Sequence, residues 1–438
     1  MGMTAREAAL TALEKCRRDG AWSGAAIDGV IKKAGLDRRE AALASRLCLG
    51  VLQNSSLCDF YISCYCKSKK LEPKLRDILR MGIYQLVFLN KIPPRAAVNE
   101  SVALCRSAGL ERAAGLANAV LRRVSENLAS LPEVPNAGTG EHLSIKYSHP
   151  IWMVQRFIDE KGYDFTEEFL RCNNMPQGLS IQVNTLKTTV EAYIALLHEA
   201  QIEYTVYDYP QGTVELNGGS VAALPGFDEG LFYVQDKAAR IAADIAGAKP
   251  GMKLLDACAA PGGKSFAAAL AMENSGSILS CDIHQKKLSL IRTGADRLGI
   301  EIISTQSRDA RRPDAALSGV FDVVIADVPC SGLGVIGKKP EIKLKAEDEI
   351  AGLPQIQLDI LLNLANFVKP GGTLVYSTCT VLKAENEDVI ERFLEKNKSF
   401  EPESFTLGHE TAESGMHTFW PNVDGTDGFF AARLKRKK

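Results

Sequence analysis

The sequence predicts an α/β protein in two parts, an all-helical front followed by a parallel, doubly wound sheet. Three observations carry this expectation. Apolar residues recur at helical spacing from residue 4 to about 128. Strand-like and helix-like runs alternate from about residue 253 onward. At the first of these junctions, Leu254-Leu255-Asp256-Ala257-Cys258-Ala259-Ala260-Pro261-Gly262-Gly263-Lys264-Ser265 reads as strand, tight turn and helix start.

Composition narrows the class. With 438 residues, 46% hydrophobic and 24% charged, the chain has the material of two to three globular domains. The net charge of −1 hides an asymmetry: residues 1–130 carry 21 Lys and Arg against 12 Asp and Glu, a surplus of +9, which leaves −10 for the remainder. A basic front suits a polyanionic partner, and it equally suits the solvated face of a helical domain. Eleven cysteines without a C-x-x-C pair make neither a disulfide framework nor a zinc site, which points to a reducing cytoplasm. Six scattered histidines predict no metal centre. No apolar run reaches the length of a membrane span, and Glu7 and Glu14 in the opening segment argue against a targeting signal.

In order along the chain, the front third reads as a bundle. Leu10 and Leu13, then Leu43, Leu47 and Val51, then Leu75, Ile78 and Leu79, then Leu116, Val120, Leu121 and Val124 mark successive helix faces. Asp19-Gly20, Gly35-Leu36-Asp37 and Ile92-Pro93-Pro94 break them. Residues 131–145, with Pro132, Pro135, Gly138 and Gly140, are expected to be a linker between a domain at 1–130 and an intermediate α/β region at 146–235. Within that region Ile181 to Lys187 alternates like a strand, and a helix is expected over Val190–Ala200. A helix starting near Gln235 is expected to run to Pro250-Gly251 and lead into the last domain, 236–438. There the strands are Leu254–Asp256, Ser277–Asp282, Ile302–Thr305, Phe321–Ala326 and Gly372–Tyr376, with a final strand near Asp427–Arg433.

Chemistry concentrates at the strand ends. The glycines of the first turn let a ligand approach the backbone, and the helix that follows presents free N–H groups. A dinucleotide site would need G-x-G-x-x-G, and a P-loop would need glycine where Cys258 stands. An amino-acid-bearing adenosine cofactor fits better, with Cys258, Ala259, Ala260, Pro261, Gly262, Gly263 and Lys264 around it, and Asp327, at the end of a neighbouring strand, is expected to reach it too. Asp282, ending the second strand about 20 residues on, is placed to accept ribose hydroxyls. Asp309, after the third strand, either accepts from an adenine amino group or caps a helix. Two further strands end in Asp327-Val328-Pro329-Cys330 and Ser377-Thr378-Cys379, so that two cysteines are expected to face one pocket.

Asp256 to Lys264, Asp327 to Cys330 and Ser377 to Cys379 together resemble the motif set of the NOL/NOP/sun family of RNA 5-methylcytosine methyltransferases. Leu79 to Leu86, Lys91 to Arg95, Val98 to Glu100 and Asn118 to Arg123 resemble the NusB-like RNA-binding domain at the front of bacterial rRNA methyltransferases. Gln182 lies in a segment, Ile181 to Lys187, that resembles the start of that family's catalytic region, at a position usually held by Arg. Val328, Lys338-Lys339 and Leu344 also depart from the family's usual Ala, arginine pair and Trp.

The resemblance implies a NusB-like bundle followed by a Rossmann-like, class I methyltransferase domain using S-adenosylmethionine. It implies that Cys379 attacks C6 of a cytosine, that Cys330 assists release of the product and that Asp327 hydrogen-bonds the base. It implies 16S rRNA as the partner, with cytosine 967 as the target. A monomer without metal is expected. A target base must be unpaired or flipped to meet a thiol; Lys338, Lys339 and Lys343 are candidates for holding its phosphates, or simply a solvated loop, and Lys435 to Lys438 touch RNA or aid solubility. Two other readings share these features: a tRNA cytosine-5 methyltransferase, and a catalytically silent RNA-binding assembly factor.

Overall fold

A computed structural model describes residues 2–68, 70–217 and 221–438. The chain packs as two compact units, the first formed by residues 2–175 with 336–347, the second by 176–335 with 348–438. Among the described residues no helix is long and apolar enough to cross a membrane, and no cluster of His, Cys, Asp and Glu could hold a metal ion.

The front unit is helical, as its periodicity predicts. α1 (Ala5–Asp19), α2 (Ser23–Ala34), α3 (Arg38–Gln53), α4 (Ser55–Tyr65), α5 (Pro73–Phe88), α6 (Pro94–Ser107) and α7 (Ala114–Glu126) surround one core that includes Leu13, Ile27, Leu47, Ile78, Leu79 and Leu121. Local chemistry sets the ends: Thr4 and Glu7 form a reciprocal cap at α1, Asp37 caps α3, and prolines open α5 and α6, where a missing N–H costs nothing.

The expected linker is shorter than 131–145. Thr139 caps a further helix, α8 (Gly140–Lys146), followed by α9 (Ile151–Lys161) and α10 (Tyr163–Asn173). These belong to the front unit, because Ser148 accepts from the Leu57 N–H and the Gln53 amide donates to the Asn173 carbonyl. Compactness therefore breaks at Met175/Pro176.

The second unit opens with a four-stranded antiparallel sheet of β1 (Leu179–Val183), β2 (Tyr204–Val206), β3 (Thr213–Leu216) and β4 (Phe232–Val234), in the order β2-β3-β1-β4, with α11 (Val190–Glu199). Gln182 is fully buried in β1, accepting from Thr213 and donating to the Gln235 carbonyl. It joins strands and offers RNA nothing here. The helix expected to reach Pro250 is α12 (Lys237–Asp244), and it stops early because Gly247 takes a φ of +65° and Pro250 cannot continue it.

The main sheet contains β5 (Lys253–Asp256), β6 (Ser277–Asp282), β7 (Ile303–Ser307), β8 (Phe321–Asp327) and β9 (Val368–Thr378), all parallel. α13 (Gly263–Ala271), α14 (Leu288–Leu298), α15 (Leu353–Leu364) and α16 (Glu387–Lys396) pack into separate apolar layers that cover it. Near the C-terminus come β10 (Phe400–Pro402), the hairpin β11 (Phe405–Leu407) and β12 (Glu410–Ala412), β13 (Met416–Phe419) and β14 (Phe429–Arg436). The order is β10-β14-β9-β8-β5-β6-β7, and β14 runs antiparallel to β9 with β13 along it, so the sheet is mixed rather than purely parallel. The basic tail is partly strand: Lys435 pairs with Thr373 and Arg436 donates to the Val368 carbonyl. Neighbours of β5 run β6, β7 one way and β8, β9 the other, so the crevice beyond β5 and β8 is the topological switch point where open sheets bind ligands.

Candidate active site

At that switch point the turn after β5 is stitched to both neighbours, with Ala257 N–H donating to the Ile325 carbonyl and Ala259 N–H to the Cys281 carbonyl. Gly262, with φ +117°, starts α13; a Cβ there would lie 2.6 Å from the Phe266 ring, which is why glycine is required. A pocket of about 180 Å³ opens over this turn, lined by Gln235, Asp256, Cys258, Ala259, Ala260, Pro261, Gly263, Lys264 and Asp327, among others.

Asp256 is the acid that ends β5. It is fully buried, its Oδ2 accepts from Ser265 at 2.7 Å, and its Oδ1 has no partner among the described residues. Burial pushes its pKa up to about 7. The Gln235 Oε1 is likewise buried without a partner on the same wall. Unsatisfied acceptors and carboxylates around one cavity favour a ligand that brings positive charge and N–H donors. An amino-acid-bearing sulfonium cofactor has both, so the residues fit S-adenosylmethionine. The Lys264 Nζ pairs with Asp327 Oδ2 at 2.7 Å and lies 5.0 Å from the Phe429 ring centre.

Seven of the expected cofactor residues, Cys258, Ala259, Ala260, Pro261, Gly263, Lys264 and Asp327, line the pocket. Gly262, Asp282 and Asp309 are not in that lining. Asp282, at the end of β6, is nearly buried and accepts the His284 N–H. Asp309 is engaged by Arg311, whose guanidinium reaches both carboxylate oxygens and whose N–H reaches one, and this bonding holds its pKa down at about 2. That local turn answers for Asp309 without any adenine. Asp256 and Gln235 are not among the expected cofactor residues; an acid closing the strand before the glycine turn is the signal for Asp256, whereas Gln235 reaches the pocket only through the path of the chain out of β4.

The two cysteines meet. Asp327 on β8 is paired in register with Ser377 on β9, whose hydroxyl donates to Asp327 Oδ1 at 2.8 Å. The chains leaving those neighbouring strands bring Cys330 Sγ and Cys379 Sγ to 3.2 Å. The hydrogen bond to Cys379, then burial, with the charges of Glu385 and Asp327 adding to them, hold the Cys330 thiol well above the ordinary range, which favours its protonated form. Cys258, although it lines the pocket, is kept protonated by burial and by the surrounding carboxylates, and is no nucleophile. The loop after Cys330 is held in turn: Gly334 N–H donates to the Cys379 carbonyl and Gly428 N–H to the Gly334 carbonyl, and a Cβ on Gly334 would sit 1.8 Å from the Gly428 oxygen.

Of the expected phosphate contacts, Lys343 is a correction. It is buried in the front unit, where Nζ donates to the carbonyls of Gln53 and Tyr147 and to Asn174 Oδ1, and burial pushes its pKa well below the usual lysine range. Lys338 and Lys339 are exposed, the latter 5.1 Å from the Trp22 ring centre.

Comparison with known proteins adds three matches to family descriptions: NusB over residues 3–126, an RsmF/B-like ferredoxin-like domain over 149–221, and 16S rRNA methyltransferase RsmB/F over 245–435. A Bacillus subtilis protein named "Probable ribosomal RNA small subunit methyltransferase B" is 35% identical, covering 99% of this chain and 98% of its own. Ribosomal RNA small subunit methyltransferase B of Klebsiella pneumoniae is 33% identical over 91% of each. Among solved structures, PH0851 aligns with a TM-score of 0.82 at 28% identity over 98% of both chains. NSun6 from Pyrococcus horikoshii with SFG covers 65% of this chain and 97% of its own at a TM-score of 0.59 and 20% identity, a likeness of fold.

Proposed function

The chain belongs to the RsmB/F family of 16S rRNA methyltransferases, and from that premise we propose that it methylates C5 of a cytosine in 16S rRNA through a covalent bond between Cys379 and C6. Asp256 and residues 258–264 would hold S-adenosylmethionine, with Asp282 available to its ribose, and the cofactor would supply an electrophilic methyl group. The observation that carries the reading is the 3.2 Å approach of two sulfurs beyond the ends of β8 and β9, next to the Asp327 carboxylate.

C5 of cytosine is a weak nucleophile, so the protein must raise its electron density. The Cys379 thiolate adds to C6, forming an S–C6 bond and moving the ring electrons to C5. Asp327, held on opposite oxygens by Lys264 and Ser377, hydrogen-bonds the base at N3 and the exocyclic amine and stabilises the ring protonated at N3 as electrons move into it. Once C5 carries its methyl group, the C5 proton passes to water, its electron pair reforms the C5–C6 double bond, the S–C6 bond breaks and Cys379 returns as thiolate, with Cys330 assisting this elimination. The NusB match at the front and the ribosomal names of its relatives favour rRNA over tRNA, and cytosine 967 is the base proposed.

The test mixes 16S rRNA and S-adenosylmethionine with wild type, Cys330→Ala and Cys379→Ala proteins. Cys330→Ala should trap a protein–RNA adduct on a denaturing gel, and Cys379→Ala should give neither adduct nor 5-methylcytosine. An adduct trapped by Cys379→Ala would reverse the two roles. No methyl transfer by the wild type to any RNA would leave a silent assembly factor.

A further inference from the structure

Two consecutive buried polar residues, Glu385 and Asn386, are left over once the cofactor pocket is assigned, since neither lines it. They follow Cys379 by six and seven positions, in the turn that leads into α16. Glu385 Oε2 accepts from the Ser331 N–H at 2.9 Å and from the Gln357 amide at 2.8 Å, and the same amide donates to the Pro329 carbonyl at 3.0 Å. Both peptide neighbours of Cys330 are thereby tied to one carboxylate. Asn386 does the equivalent around Cys379: its Oδ1 accepts from the Thr378 hydroxyl at 2.6 Å and its Nδ2 donates to the Thr380 carbonyl at 3.0 Å. The Tyr376 hydroxyl donates to the Glu385 carbonyl, and Ser331 Oγ donates to Thr380 Oγ1 at 2.8 Å, which joins the two loops directly.

We propose that Glu385 and Asn386 are separate positioning residues for the two halves of the reaction, Glu385 setting Cys330 for product release and Asn386 setting Cys379 for attack on C6. Adjacent residues on one rigid turn give the two sulfurs a common reference, and reacting groups must be held within about 0.5 Å of their working geometry. The Glu385 charge also favours the protonated form of Cys330. This assignment rests on the cysteine roles proposed above.

The experiment measures methyl turnover, S-adenosylmethionine affinity and denaturant-stable RNA adduct in Glu385→Ala, Glu385→Gln and Asn386→Ala, beside Cys330→Ala and Cys379→Ala. Both alanine variants should lose on the order of 10²-fold in kcat with the cofactor affinity unchanged, since a misplacement of about 1 Å costs that much. The adduct should move in opposite directions, accumulating in Glu385→Ala as in Cys330→Ala and disappearing in Asn386→Ala as in Cys379→Ala. Loss of packing alone would lower both. Glu385→Gln keeps an acceptor for Ser331 and should recover most of the turnover. If Cys330→Ala traps adduct and Glu385→Ala does not, or if Gln is as poor as Ala at 385, the clamp assignment is wrong. If Cys330→Ala itself traps nothing, the cysteine roles fail and the clamp fails with them.

Discussion

Asp256 shows how one buried oxygen couples stability to ligand binding. Its folded pKa of about 7 lies above the ordinary 3.8, so between those values the folded chain holds a proton that the unfolded chain has released. Its contribution therefore worsens as pH rises through that window and is absent below it. Asp256→Asn, which removes the charge at constant shape, should melt higher than wild type at pH 8 in the absence of cofactor, with the gap closing toward pH 4. The same variant should bind S-adenosylmethionine at least ~10-fold more weakly, as expected for a lost charged hydrogen bond of roughly 1.5–3 kcal/mol. Calorimetry at both pH values decides this, and equal melting points at pH 8 would mean that the carboxylate is not strained by its burial.

At the scale of elements, the segment 336–347 leaves the second unit at Val335, belongs to the front unit and returns at Asp348. Lys343 holds it there, filling three acceptors on α3, α8 and α10 or the turns that follow them. Lys343→Ala would strand those buried oxygens, at about 1–3 kcal/mol each for any left unsatisfied. Its melting temperature should fall, while the salt dependence of RNA binding should keep its slope, since this ammonium meets no phosphate. A reduced slope would return Lys343 to the RNA surface. The Gly334 crossing is the counterpart in the second unit: Gly334→Ala drives a Cβ into the Gly428 carbonyl and should cost about 1–3 kcal/mol by overpacking. Methyl transfer should fall further than the melting temperature, because Gly334 N–H also holds the Cys379 carbonyl.

For the whole molecule, the +9 surplus over residues 1–130 sits on helices whose apolar faces are consumed by their own core, which turns the charge outward. Binding of the full chain to a 16S rRNA fragment should weaken steeply with salt, log K falling by about 0.7 for each phosphate neutralised per tenfold rise in salt on single strands. A titration from low to high salt that changed affinity by less than tenfold would exclude the basic front as a phosphate-binding surface.

Much of this was legible in the linear order of residues. The helical periodicity, the strand ends at Asp256, Asp282, Asp327 and Ser377, the Pro-Gly-Gly turn and the two cysteines are local patterns, and local patterns follow from backbone sterics and apolar spacing that act over a few residues. Most element types, the switch-point architecture and the convergence of Cys330 and Cys379 therefore follow from linear order, α8 in the expected linker being an exception. Where each cation and each spare polar group places its hydrogen bonds depends instead on the packed chain. Lys343 in a basic run reads as a phosphate ligand or a solvated side chain until α3, α8 and α10 surround it, Lys264 reads as one residue of a cofactor turn until Asp327 pairs with it, and Gln182, where the family usually has Arg, reads as a departure without a role until it joins β1 to β3. Glu385 and Gln357 are 28 residues apart, and they meet around Cys330 only because the fold brings α15 and the turn before α16 to the end of β8. Such pairings depend on desolvation and on partners distant in the chain, and spacing carries no record of them.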